Sequence, residues 1–374
     1  MTALDPIDRI DALELTVPLA DPLRLGPLTI TERRYAVVRV HTREGLTGIA
    51  YALTRDAPVT QAVAMLAPLL RGRDADLIAA RHHDCVRATA AAGRVGVVMR
   101  AIALVDIALW DIKAQRAGLP LWRLLGGAQR ETQLMLVAGY PRDDLAPEAL
   151  AERVAAYAHD GHGLLKIARA HDQSRMRTIL DRLTSSSLPP TARLVIDCAW
   201  CYESVGDAEH EIAAWPDVPL EWLEDPMPPE DVRAIVRLRE RLGVPLGVGD
   251  ELSDPNTHRE LVRCGAVDVL RVDVANLGVT GALHVCALAA AERVPVSFHV
   301  YPEIAVHLAA AMTQRAIVES FDPLDNPFDP THSFVRGGPV IEPGVALAPE
   351  LPGLGFSIDE ERLTALGYGA VSDP

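Results

Sequence analysis

Six short apolar runs in this chain end in a residue that can hold a cation or move a proton. They are "LVIDCAW", "LEWLEDP", "PLGVGDEL", "VLRVDVAN", "VPVSFHV" and "AIVESFDP", closing on Asp197, Glu224, Asp250, Asp273, His299 and Glu319. The intervals are 27, 26, 23, 26 and 20 residues. An earlier run, "GLLKIA", carries Lys166 in the same phase. Three successive carboxylates, Asp197, Glu224 and Asp250, repel one another unless a cation sits among them. Hard oxygen ligands with positions left for water or substrate suit Mg²⁺. One acid at a strand end often only caps the next helix, but three in one register are poorly explained that way. His299 follows Asp273 by one strand, and an imidazole bonded to a carboxylate is held in one tautomer and made more basic. Lys166 beside a metal suits an anionic substrate oxygen. Glu319 is open between a protonated donor to an oxyanion and a simple strand-end cap. Together these groups describe removal of a proton next to a carboxylate, with the developing negative charge stabilised by the metal, Lys166 and Glu319.

Such residues need a frame that aims them at one place. From Leu134 onward, apolar strands ("LMLVAG", "GLLKIA", "RLVID", "LEWLE", "PLGVGD", "VLRVD", "PVSFH", "AIVES") alternate with amphipathic stretches such as "PEDVRAIVRLRERLG". Eight strands and seven helical segments, the strands apolar on both faces, predict a parallel βα barrel whose site lies at the strands' C-terminal ends. No GxGxxG follows the first strand and no GxxxxGK[ST] occurs, which argues against a doubly wound nucleotide-binding sheet. The chain before this is strand-rich ("RIDALELTVPL", "RRYAVVRVHT") and then helical to about Arg116, an α+β unit. The expected organisation is an α+β capping domain over 1–128, a (β/α)₇β modified TIM barrel over 129–322, and a Pro/Gly-rich segment, 323–374, returning to the cap.

A net charge of −15 argues against nucleic acid and anionic membrane as partners. No run of 18 apolar residues exists and the first 25 residues carry acids throughout, so neither a membrane span nor a signal peptide is expected. Five scattered cysteines point to reduced thiols and a cytoplasmic location. "CAWC", Cys198 to Cys201, is read as small apolar residues at a strand end, since a zinc knuckle needs a second pair and a redox motif should open a helix.

"MRAIALVDIALWDIKAQRAGLPLWRLLGG", "WLEDPMPPED" and "FHVYPEIAVHLAAA" followed by "IVESFDP" resemble the mandelate racemase/muconate lactonizing branch of the enolase superfamily. The resemblance spans essentially the whole chain. It implies that Asp197, Glu224 and Asp250 bind Mg²⁺, that His299 and Asp273 form the family's dyad, that Glu319 is its eighth-strand acid, and that the protein is a homo-oligomer. Asp250 stands where many members have Glu. It is preferred to its neighbour Glu251 because alternation sets it in phase with Val248, expected to face the barrel. The family's second barrel strand usually reads Lys-x-Lys, the second lysine being a base opposite the histidine. Here Ala168 takes that place, and the adjacent Arg169 falls on the other side of the strand. Ala199 also stands where an asparagine often follows the metal aspartate by two.

One base cannot invert a carbon, but it can remove an α-proton and then protonate a departing hydroxyl. The expected reaction is therefore dehydration of a sugar acid to its 2-keto-3-deoxy product. A racemase or epimerase of a hydroxy acid, and a relative that binds acids without chemistry, are the alternatives. Specificity is expected from two cap loops, Pro18 to Glu32 and Ala52 to Pro58.

Overall fold

The computed structural model describes residues 5–25, 28–186, 188–322 and 328–366. Gly26 and Pro27 of the expected first cap loop, and residues 323–327 and 367–374 of the expected C-terminal segment, lie outside the described residues.

The chain opens with an antiparallel sheet in the order β1 (Ile7–Leu25), β2 (Leu28–Thr42), β3 (Thr47–Leu53). The first expected cap loop is instead the end of the β1–β2 ribbon. Pairing continues through Leu23↔Ile30 and Leu25↔Leu28 after an irregularity between Pro18 and Leu23. The interrupted stretch includes Pro22, which has no N–H to give the ladder. Helices α1 (Val59–Leu70), α2 (Ile78–Ala88), α3 (Val97–Ala117) and the short α4 (Leu121–Leu124) follow. In α3 nearly every residue from Val98 to Ala114 is buried, because the helix lies between the cap and the barrel, and its buried charges Arg100, Asp106 and Asp111 are each hydrogen-bonded. It stops at Gly118, whose φ of 66° is the left-handed cap that glycine favours.

Eight parallel strands then close on themselves: β4 (Glu131–Gly139), β5 (Leu164–Ala168), β6 (Arg193–Asp197), β7 (Leu220–Glu224), β8 (Leu246–Val248), β9 (Val269–Val272), β10 (Val296–Phe298) and β11 (Ala316–Phe321), with β11 pairing back to β4. Seven helices connect them: α5 (Pro147–His159), α6 (Gln173–Ser185), α7 (Val205–Ala213), α8 (Val232–Leu242), α9 (Pro255–Arg263), α10 (Val274–Ala291) and α11 (Pro302–Ala311). This is the expected (β/α)₇β barrel with an N-terminal α+β cap. α10 is long and apolar enough to cross a membrane by length and composition, but two-thirds of it is buried inside the protein and it packs on α3.

Two kinds of inward residue fill the barrel. Met135, Leu164, Val195, Trp222, Val269 and Ile317 form a cluster inside its lower part. Two residues further along four of the same strands come Lys166, Asp197, Glu224 and Arg271, and Glu319 follows Ile317 likewise. The intervening residues, including Leu165, Ile196, Leu223 and Val272, belong to the larger core. That alternation is why each strand reads as apolar until its last inward position. After the barrel come β12 (Val335–Gly337), β13 (Val340–Glu342), β14 (Val345–Leu347), β15 (Phe356–Ile358) and α12 (Glu360–Ala365). β14 pairs with β4. Leu354 N donates to Asp111 Oδ1 of α3 at 2.9 Å and Trp122 Nε1 to Pro349 O at 2.9 Å, which ties this segment to the cap.

Candidate active site

At the barrel mouth the ends of β5 to β9 and of β11 bring together four carboxylates and two cations. One oxygen from each of Asp197, Glu224 and Asp250 lies within 4.8 Å of the others, a spacing one metal ion can bridge. Glu224 is fully buried. Its Oε2 accepts from Trp222 Nε1 at 3.0 Å, while Oε1 pairs with Lys166 Nζ without a well-formed hydrogen bond. A buried carboxylate oxygen lacking a proper donor is what a metal ligand looks like without its ion, so the three residues fit a hard divalent cation. Asp197 accepts from Ala199 N at 2.9 Å, held by two residues, Ala199 and Trp200, in left-handed conformations.

Asp250 does join the triad, but not for the expected reason. Val248 sits with the outward-facing core residues, and it is Gly247 whose Cβ position would meet the interior Trp222. Simple alternation would therefore turn Asp250 away. Gly249, at φ 136°, redirects the chain. Asp225, which follows Glu224 in a left-handed conformation, accepts from Gly249 N at 3.0 Å and Asp250 N at 3.1 Å. Its carboxyl is pushed well up by burial, with the charges of Asp250 and Glu224 adding to it. Glu251, the fallback ligand, is taken by Arg55 at 2.7 Å, by Arg100, and by Asn276 Nδ2 at 3.0 Å. Burial opposes its ionisation, but the two arginines prevail and hold it at about 2.

Lys166 is almost wholly buried and does not reach solvent along its stem. Its Nζ lies 3.1 Å from Asp197 and 3.1 Å from Glu319, beside Glu224. Burial would lower its pKa, yet Asp197, Glu224 and Glu319 hold it well above the usual lysine range. Arg271, on β9, was not singled out from the sequence. Its Nε lies 2.8 Å from Asp250 Oδ1 and 3.1 Å from Glu224 Oε2, and Nη2 meets Glu319. Glu319 thus sits between two cations, which favours its ionised form over the neutral donor. Burial pushes its pKa up, but Lys166, Arg271 and His299 outweigh that and lower it.

His299 closes the site from β10. Its Nδ1 is 3.0 Å from Asp273 Oδ2, which leaves Nε2 facing the mouth, 3.8 Å from Asp250 Oδ2. Asp273 is itself fixed by Ala275 N at 2.7 Å and by Asn276 Nδ2 at 2.9 Å. Burial lowers the pKa of His299, but the Asp250 charge and the Asp273 hydrogen bond overcome it and raise it to about 9.

The predicted gap on the second barrel strand remains a gap. Arg169 points away, paired at 2.6 Å with Glu211 and stacked over Tyr202. Above the mouth is a cavity of about 690 Å³, within the usual range for a small-molecule site. Leu23, Ile30, Tyr140, Phe321 and Phe328 form one wall of it. Arg33, Arg55 and Thr54 reach in from the cap, and both expected cap segments contribute to the lining. Cys198 is buried and Cys201 exposed, both free thiols.

Barrel, cap, carboxylate triad and His–Asp pair together define a metal-dependent enzyme of the enolase type. The chain belongs to the mandelate racemase/muconate lactonizing enzyme family. Residues 9–126 match that family's N-terminal domain and residues 149–362 the enolase C-terminal domain-like family. It is 27% identical to the L-talarate/galactarate dehydratase of Salmonella typhimurium, over 96% of this chain and 92% of that one. It is also 27% identical to the 3,6-anhydro-alpha-L-galactonate cycloisomerase of Streptomyces coelicolor, over 97% of this chain and all of that one. Among solved structures it is similar to L-talarate dehydratase from Polaromonas sp. JS666 complexed with Mg and L-glucarate (TM-score 0.83, 25% identity, 96% and 97% of the two chains). An enolase from Bradyrhizobium complexed with magnesium and mandelic acid is similar too (TM-score 0.86, 26% identity, 98% and 99%).

Proposed function

We propose that this protein is a Mg²⁺-dependent lyase that removes water from a sugar acid, giving a 2-keto-3-deoxy acid. The observation that carries the reading is a single His–Asp base beside the carboxylate triad, with Ala168 and an averted Arg169 where a second base would stand. Asp197, Glu224 and Asp250 are assigned to hold Mg²⁺. Bound there, the ion supplies Lewis acidity toward the substrate carboxylate and offsets the Asp250 charge that keeps His299 protonated.

Neutral His299 takes the α-proton at Nε2, its tautomer set by the Nδ1 bond to Asp273. Electrons from the broken C–H bond form the C2–C3 double bond as the β-hydroxyl leaves. The imidazolium returns its proton to that hydroxyl, so water departs, and the enol tautomerises to the ketone. Lys166 supplies fixed positive charge next to the carboxylate end of the substrate. Glu319 keeps that lysine in place.

Curated relatives support the substrate class, since they include dehydratases named for talarate/galactarate, gluconate and mannonate. The apolar wall above the mouth favours a second reading, α-proton exchange on a 2-hydroxy acid with an apolar substituent; the Bradyrhizobium protein holds mandelic acid. A homo-oligomer and a cytoplasmic location are further proposals, the first supported by the family, the second by the five free cysteines.

Proton NMR in D₂O with Mg²⁺, over aldonic and aldaric acids plus mandelate, separates the readings. Loss of the α-proton signal with a new deuterated methylene is expected. Deuterium exchange without elimination would instead support the isomerase reading. Silence across the panel would leave either a substrate outside it or an acid-binding relative.

A further inference from the structure

Arg271 occupies a place in the barrel that apolar side chains normally fill, with no exposed surface. It faces inward between Val269 below and Asp273 above. Each guanidinium nitrogen has a partner. Nε contacts Asp250 Oδ1 and Glu224 Oε2, Nη2 contacts Asp250 Oδ2 at 3.2 Å and Glu319, and Nη1 donates to Ser297 Oγ at 2.6 Å. Thus the cation is fixed against two of the three assigned metal ligands and against the eighth-strand acid. Asp197, Glu224, Asp250 and Glu319 meet two fixed cations, Lys166 and Arg271, with His299 Nε2 3.8 Å from Asp250, so even with His299 charged the four carboxylates outnumber the cations.

We propose that Arg271 is a built-in counter-cation of the metal site. It keeps Glu224, Asp250 and Glu319 assembled when no metal is bound, and its fixed charge weakens Mg²⁺ binding in return. A buried carboxylate cluster stripped of one cation repels itself, and the same excess negative charge draws a metal more strongly. Guanidinium suits this role because it stays charged and its planar fork serves several carboxylates at once. Arg271 is a positioning residue: it acts on the ligands and not on the substrate. The inference rests on the Mg²⁺ reading above.

The test is Mg²⁺ affinity by calorimetry, with thermal unfolding in EDTA and in saturating Mg²⁺, for wild type, Arg271→Gln and Arg271→Lys. The glutamine variant is expected to melt well below wild type in EDTA, to regain more of its Tm on adding Mg²⁺ than wild type does, and to bind Mg²⁺ about 10-fold or more tightly. The lysine variant should lie within about threefold of wild-type affinity, because it keeps the charge. An equal loss of Tm with and without Mg²⁺ at unchanged affinity would mean a packing role only and overturn the proposal, as would weaker binding in Arg271→Gln. If the glutamine variant does not fold even with Mg²⁺, the lysine variant decides, a roughly tenfold change in its affinity refuting the charge argument. Failure of wild type itself to bind Mg²⁺ overturns the metal reading, and this inference with it.

Discussion

His299 carries a proton in the metal-free protein and must lose it to act as a base. The group whose pKa is raised to about 9 is held there mainly by the Asp250 charge and by Asp273, against burial. A divalent cation held by Asp250 would offset that charge and favour the neutral, base form of His299 near neutral pH. An NMR titration of the imidazole, assigned by comparison with His299→Asn, is expected to show a midpoint near 9 in EDTA and a lower one in saturating Mg²⁺. A metal-free midpoint at or below the ordinary histidine value of about 6.5 would remove this explanation. The strand-end residues were legible in the sequence because each interrupts an apolar run. Arg271 and Asp225 were not, for different reasons. Arg271 stands inside the run "VLRVD", where a charged residue is easily taken for an outward-facing one, yet its spacing of two from Asp273 sets both on the same side. Asp225 follows Glu224 directly, and no periodicity shows that a left-handed residue will turn its carboxylate onto the backbone of the next strand end.

The shortest strands make the largest demands on their ends. β8 has three residues, and the carboxylate assigned to the metal, Asp250, lies two beyond, past Gly249. A Cβ on Gly249 would lie 2.4 Å from the carbonyl oxygen of Arg271, a backbone atom that cannot swing aside, and φ 136° is strained for any other residue. Gly249→Ala is therefore expected to cost about 3 kcal/mol or more, and to lose Mg²⁺ binding as Asp250 leaves the triad. Denaturant unfolding and calorimetry check the two effects separately. A variant that binds Mg²⁺ like wild type would show that Gly249 is not what aims Asp250. Here alternation reasoning picked a residue that does reach the cluster, but on a wrong premise, since the periodicity of two ends with the strand and one glycine resets it. The β1–β2 ribbon is a similar case. Proline, glycine and aspartate in "PLADPLRLGP" signal a loop, but pairing runs from Ile7↔Thr42 to Pro18↔Glu32 and resumes from Leu23↔Ile30 to Leu25↔Leu28, carrying the ladder through it.

Cap and barrel are joined through α3, and the joints are buried carboxyls. Asp106 accepts from Thr280 N at 2.9 Å and Thr280 Oγ1 at 2.6 Å, which fixes α3 to α10 just after the kink at Gly278. Asp111 accepts from Ile49 N at 3.0 Å in β3 and from Leu354 N in the C-terminal segment. Burial, the largest influence in both, raises Asp106 to about 7 and Asp111 to about 6 in spite of these hydrogen bonds. A carboxyl with a raised folded-state pKa binds its proton more tightly folded than unfolded. Between about pH 4 and the folded value, folding takes up a proton, so each group's contribution to stability falls as pH rises through that window, by on the order of 1 kcal/mol per pH unit. Glu251, held at about 2, has the opposite sign: its contribution is present above the ordinary glutamate value and is lost as pH falls toward 2. Comparing wild type with Asp106→Asn in EDTA isolates one joint from the metal site. The variant has no proton to exchange at this position, so its Tm relative to wild type should rise steadily from pH 4.5 to 7. A constant difference across that range would mean that Asp106 is ionised in the folded protein at every pH tested, and that the α3–α10 joint is an ordinary hydrogen-bonded carboxylate.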